Sequence, residues 1–114
     1  LDSRQLSRLA MRAAFGLGRT GTISHDSSGD FVIAFSTTHR WASQTDRRVE
    51  QVNRVPEGSP VMNPLFQAVV ETIEEAILNS LIAAHTMIGR DGNTLYALPH
   101  DRLVELLKHH RIIE

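Results

Sequence analysis

Cysteine is absent from this chain of 114 residues, which removes disulfides, thiolate zinc sites and a cysteine nucleophile together. An excess of one charge is lacking too. The 12 Lys and Arg nearly balance the 13 Asp and Glu, for a formal net charge of -1, so electrostatics gives no reason to expect nucleic acid or an anionic membrane as a partner. No apolar run approaches the roughly 20 residues of a membrane span, and the first residues lack the apolar core of a signal peptide. The cytoplasm is the compartment expected. The 6 histidines show no metal-ligand spacing, and the adjacent His109 and His110 would point in different directions on a helix. No metal site is expected, and no internal repeat or low-complexity stretch is present.

What is there suits a core. With 41% hydrophobic residues the length is that of one domain or part of one. The chain opens on Leu1 and not on methionine, and 1–114 is read as a single domain fragment of something longer.

Asp2 or Ser3 can cap a first helix running to about Leu17. Leu6, Leu9, Ala10, Ala13 and Leu17 form its apolar stripe. Arg4, Arg8 and Arg12 make a second row at spacing four, which reads as a solvated face or one with carboxylate partners. Gly16-Leu17-Gly18-Arg19-Thr20-Gly21 spells the glycine pattern of a dinucleotide turn. That pattern works only with a strand before it and a helix after it, and here the order is reversed. No dinucleotide cofactor is expected, and the glycines are read as ending the helix and allowing close packing at the next strand.

Segments 20–24 and 31–37 read as a β-hairpin. Phe31, Val32, Ile33, Ala34 and Phe35 are apolar without alternation, the pattern of a strand covered on both faces. Residues 39–63, with the only tryptophan, Trp41, read as a long loop with a short strand near 49–55. Such a loop is a lid, a subunit contact or a disordered insertion. Asn63 as cap and Pro64 at the first helical position open the strongest helix, reaching about Ile88. Its apolar face is broad, and Glu71, Glu74, Glu75 and Asn79 make a solvated or arginine-paired side. Residues 89–93 form a turn, and Leu98-Pro99 starts a last helix bearing Leu103, Leu106 and Leu107.

The chemistry concentrates at Ser28-Gly29-Asp30. Side chains two apart on an extended backbone share a face, so a hydroxyl and a carboxylate stand together there. The pair suits a relay that orients or carries a proton for a nucleophile. It is equally ordinary turn chemistry ahead of a strand.

The ordered set of motifs decides between these. Arg8-Leu9-Ala10 with Arg12, the run from Gly16 to Gly21, Ser28-Gly29-Asp30 and Ala34-Phe35-Ser36-Thr37 are followed by Pro64-Leu65-Phe66, Glu74-Glu75-Ala76-Ile77, Asn79, Gly89-Arg90-Asp91-Gly92 and Ala97-Leu98-Pro99. Together they resemble the C-terminal part of the DmpA-type aminopeptidases, the L-aminopeptidase/D-esterases and β-peptidyl aminopeptidases, over nearly the whole chain except 39–63.

The resemblance implies an α+β chain contributing to a four-layer α/β/β/α sandwich like that of N-terminal nucleophile hydrolases. It implies a precursor that cuts itself before a serine, whose new β chain begins with the nucleophile. The α chain of the same precursor is then a partner and supplies the oxyanion hole, and α/β units assemble further as a homo-oligomer. Ser28 and Asp30 match the family's Ser-x-acidic pair beside the nucleophile. The nucleophile itself stands on a short strand ahead of the first helix, outside these residues, and Ser3 is read as a helix cap. The expected activity is that of a serine aminopeptidase on small peptide, amide or ester substrates with a free amino end. An ornithine acetyltransferase-like acyltransferase, with threonine in place of serine, and a non-catalytic assembly subunit are the alternatives. The residue opening the β chain separates them.

Overall fold

Asp2 begins the first helix with a capping box. Its carboxylate accepts from the Gln5 backbone N–H at 2.8 Å, while the Gln5 side-chain oxygen accepts from the Asp2 N–H at 3.1 Å. The helix, α1, spans Ser3–Arg19, so Asp2 is the cap and Ser3 the first helical residue. It ends at Thr20, whose hydroxyl and N–H both return to the Leu17 carbonyl, followed by Gly21 at a φ of 95°. Gly21 is thus the residue that takes the left-handed turn.

The computed structural model describes residues 1–38, 49 and 51–114, and these divide into two units, Leu1–Glu74 and Glu75–Glu114. Trp41 and much of the 39–63 loop lie outside the described residues. The strand expected near 49–55 is not found at 51–55.

In the first unit α1 lies beside the opening half of α2, Met62–Ala83. The contacts advance along both helices in the same sense. The Arg12 guanidinium sits 3.9 Å over the Phe66 ring and that of Arg8 5.0 Å. Gly16 meets Val70 and Ile73, and Arg19 bonds Glu74 at 2.9 Å. A Cβ on Gly16 would stand 2.5 Å from the Val70 carbonyl oxygen. Gly16 therefore serves a helix–helix approach and not the packing of a strand. The arginine row has partners as well: Arg4 and Arg8 both pair with Glu57. Those charges are used inside the chain.

Gln5 is wholly buried and its Nε2 donates to the Val55 carbonyl at 2.7 Å. Arg54 bonds Asp2 at 3.2 Å. Residues 54–57 are thereby fastened across the first turns of α1.

The hairpin expected from 20–24 and 31–37 does not form. Neither segment is a strand, and the tight element there is a turn in which the Ser28 N–H donates to the His25 carbonyl at 2.7 Å. A strand exists only through a ladder partner, and among the described residues nothing pairs with 31–37. The segment still shows alternation. Phe31, Ile33 and Phe35 are 94%, 87% and 78% exposed, while Val32 is 49% exposed and Ala34 half-buried. Val32 and Ala34 line hollows against Leu6 and Ala10 that Ile33 and Phe35 also border, and among the described residues the Val32–Ala34 face is the less exposed of the two.

α2 starts a residue before Asn63, with Pro64 third in the helix; the Val61 carbonyl accepts its first bond, from Leu65 N–H, at 3.3 Å. It stops five residues short of Ile88. In the second unit Met87–Ile88 and Thr94–Leu95 form strands β1 and β2, an antiparallel pair with Met87 opposite Leu95 and Ile88 opposite Thr94. The expectation for this stretch is helix end and turn. The ladder claims the backbone groups that a longer helix would need, and β-branched Thr86, Ile88 and Thr94 suit extended chain. A 3₁₀ turn, Arg90–Gly92, closes the hairpin, with Asp91 and Gly92 both at positive φ. α3, His100–His109, begins after Pro99 and ends in a Schellman pattern in which Ile112 N–H returns to the Leu107 carbonyl at 2.9 Å. Among the described residues no helix is long and apolar enough to cross a membrane.

Candidate active site

The sequence reading singled out Ser28 and Asp30, and the fold brings them together. The turn at 25–28 reverses the chain, so Ser28 leaves it directly into Gly29 and Asp30. The Ser28 hydroxyl donates to Asp30 Oδ2 at 3.4 Å, and both residues are exposed. That is long for an O–H···O bond, whose usual length is about 2.7–2.8 Å. The two groups are adjacent and exposed, so the hydroxyl is open to another partner. A serine hydroxyl keeps two acceptor lone pairs while it donates, so it can bridge the carboxylate and a third group.

Asp30 of the pair, with Gly29, lines a hollow of about 580 Å³, and Ser28 stands next to Gly29 in the chain. Ala10, Met11, Ala13, Ala14 and Leu17 of α1 form one wall, Ile73 of α2 closes it, and Ser24, Gly29, Asp30, Phe31 and Val32 form the rim. The apolar stripe of α1 therefore lines the site as well as the core, a double use that periodicity does not reveal. Ser24, which the sequence reading passed over, stands on the rim at a φ of 53°. Its only signal in the sequence was its place four residues before Ser28. Further along α1, Ser3, Leu6, Ser7 and Ala10 face Val32, Ile33 and Ala34. Segment 29–35 thus runs against the direction of α1, with Asp30 toward the helix C-terminus and Phe35 toward Leu1.

Elsewhere in the first unit, Asp2 is held below the usual carboxylate range, first by the hydrogen bond from the Gln5 N–H and then by Arg54. Among the described residues no three His, Asp or Glu side chains gather as a metal site would require.

Residues 1–95 match the family model described as peptidase family S58. The chain belongs to peptidase family S58. It is 40% identical over 108 residues to the β-peptidyl aminopeptidase BapA of Sphingosinicella xenopeptidilytica, a match covering 95% of this chain and 27% of that protein. The crystal structure of a Pyrococcus horikoshii OT3 protein superposes with a TM-score of 0.85 at 42% identity, over 96% of this chain and 30% of the other. The L-aminopeptidase D-Ala-esterase/amidase of Ochrobactrum anthropi, described as a prototype for the serine aminopeptidases and a variant of the Ntn hydrolase fold, matches at TM-score 0.63 and 35% identity, over 94% of this chain and 30% of that one. The resemblance to the DmpA-type aminopeptidases drawn from the motifs is borne out. The S58 chain described here spans about a quarter of the length of the BapA relative.

Proposed function

We propose that this S58 chain is the β-chain portion of a self-processing serine aminopeptidase that hydrolyses short amides or esters bearing a free amino end. The observation that carries the reading is the Ser28 hydroxyl 3.4 Å from the carboxylate of Asp30, itself a residue lining the hollow, in a chain of this family.

The direction of segment 29–35 supports it. From Ser3 to Leu17, α1 is about 21 Å long at 1.5 Å per residue, a span that six or seven extended residues cover at roughly 3.3 Å each. A strand of about that length ahead of Leu1, laid along the open edge of 31–35, would begin beside Ser28. It would supply the ladder partner that 31–37 lacks among the described residues. The α chain would cover the exposed face of Phe31, Ile33 and Phe35, completing the four-layer sandwich.

The chemistry then runs as acyl transfer. The hydroxyl oxygen of the nucleophilic serine adds to the substrate carbonyl, and its proton passes to the serine's own α-amino group. An unperturbed α-amino group has a pKa of about 7.7–8 and is a usable base at neutral pH. The leaving amine or alcohol departs with that proton, and water then cleaves the acyl ester by the same path in reverse. Ser28 donates its one proton to Asp30. It offers a lone pair to the attacking serine, accepting from its hydroxyl before attack and from the protonated α-amino group after it, so that the nucleophile is held in an attack-ready rotamer. Donors from the α chain stabilise the oxyanion.

Intact-mass measurement on the full-length protein tests this reading. Two chains are expected, the second opening on serine a short strand ahead of Leu1. A single uncut chain, or a second chain opening on another residue, contradicts it.

A further inference from the structure

Three residues other than glycine sit at positive φ among the described residues: Ser24, Asp91 and Arg111. Side chains at such positions are crowded, and each instance calls for a reason. Asp91 has one, since it turns the hairpin between β1 and β2. Arg111 has one too: it is the left-handed residue of the Schellman ending of α3, with its N–H on the Lys108 carbonyl at 3.0 Å. Ser24 has neither role. Gly21 has already ended α1, and the reversal of the chain lies after Ser24, at 25–28. The conformation is held locally, with the Ser24 N–H donating to the Thr22 hydroxyl at 3.1 Å.

What Ser24 does is line the hollow on the same rim as Gly29 and Asp30. It stands just before the reversal, and the pair stands just after it. Its hydroxyl is exposed and makes no hydrogen bond to the described residues. Apart from Ser24 and Asp30, the side chains lining the hollow are apolar, so a polar substrate group entering there has few side-chain partners.

We infer that Ser24 is a substrate-contacting residue, its left-handed backbone presenting the hydroxyl to the free amino end of the acyl group bound beside Ser28. This rests on the serine aminopeptidase reading and names a residue of the same site. The hydroxyl oxygen accepts, so it can take a hydrogen bond from an N–H of that amino group, which does not react. It takes no part in bond making. Its contribution is equal in the ground and transition states and falls on KM.

The test uses the full-length protein with alanine p-nitroanilides in the α- and β-amino forms. Ser24→Ala removes the hydroxyl and keeps a side chain at positive φ; Ser24→Gly removes the hydroxyl and relieves the crowding. Both variants are expected to raise KM about three- to tenfold, the size of one lost hydrogen bond, with kcat within about twofold and Ser24→Gly at the higher Tm. Unchanged KM in both, with Tm still raised by glycine, overturns the inference and leaves Ser24 a turn residue. Ser28→Ala is measured alongside. If it keeps full turnover, or if neither p-nitroanilide is cleaved by the unaltered protein, the aminopeptidase reading has failed. If Ser28→Ala is inactive while both Ser24 variants keep the unaltered KM, only the inference has failed.

Discussion

Gln5 and Val55, 50 residues apart, are joined by a 2.7 Å hydrogen bond from a glutamine side chain with no exposure to solvent. The same amide closes the capping box with Asp2. One buried side chain therefore satisfies the start of α1 and moors the 54–57 segment to it.

Gln5→Leu fills much the same space but leaves the Asp2 N–H and the Val55 carbonyl without their partner. Unsatisfied groups of this kind cost about 1–3 kcal/mol. Denaturant unfolding of the full-length protein should report a loss in that range. An unchanged midpoint would mean that water takes over both groups.

Gly16 and Gly18 offer a paired comparison two residues apart on one helix. A Cβ at Gly16 would stand 2.5 Å from the Val70 carbonyl oxygen and 2.8 Å from Ile73 Cβ, and the first of these is backbone that cannot swing aside. Gly16→Ala is expected to destabilise by about 1–3 kcal/mol, as overpacking does. Gly18 meets nothing within 4 Å, so Gly18→Ala should stabilise by up to about 1 kcal/mol through helix propensity. Thermal melts of the two variants should move in opposite directions.

Acid should loosen the start of α1. Asp2 has its folded pKa depressed below 3.8 by the Gln5 N–H and then by Arg54. Its contribution is therefore present above the unfolded pKa and is lost as pH falls through the folded one. Asp2→Asn keeps a side-chain oxygen for the cap and cannot titrate. The stability difference between the two proteins should be constant above about pH 5 and shrink below about pH 4, where ordinary aspartates protonate. A difference that does not vary with pH would detach Asp2 from this role.

These features divide by how local their causes are. The Asp2 cap, the stop at Gly21, the start of α3 after Pro99 and the adjacency of Ser28 and Asp30 all depend on neighbours within a few residues, and all were legible. The arginine row was expected to be solvated or carboxylate-paired; Arg4 and Arg8 take the second course with Glu57, and Arg12 lies over Phe66, partners that the spacing did not name. The strands expected at 20–24 and 31–37 were misjudged because β structure is completed by a partner that no local pattern supplies. The β1–β2 hairpin was missed for the complementary reason: apolar spacing through Ala84 and Ile88 continues the helical period beyond the point where the ladder takes over. Buried Gln5 and the crossing at Gly16 were invisible, since both depend on residues some fifty positions away.

Expressed alone, residues 1–114 should not give a cooperatively folding monomer. Phe31, Ile33 and Phe35 are open to solvent, and among the described apolar residues only Ala13 and Met62 are buried. Burial of apolar surface is the main driving force for folding, and too little of it occurs here. Insoluble or molten material is expected; a sharp two-state melt of a monomer would contradict this.

The most direct test of the relay is the turnover of Ser28→Ala in the full-length protein, set beside Asp30→Asn. Ser28→Ala deletes one exposed hydroxyl and should leave the fold intact. Misplacing the proton relay should cost about 10²–10⁴ in kcat, with Asp30→Asn also slowing chemistry more than it weakens binding. Near-normal turnover in both variants would reduce the 3.4 Å contact between Ser28 and Asp30 to turn chemistry and contradict the mechanism.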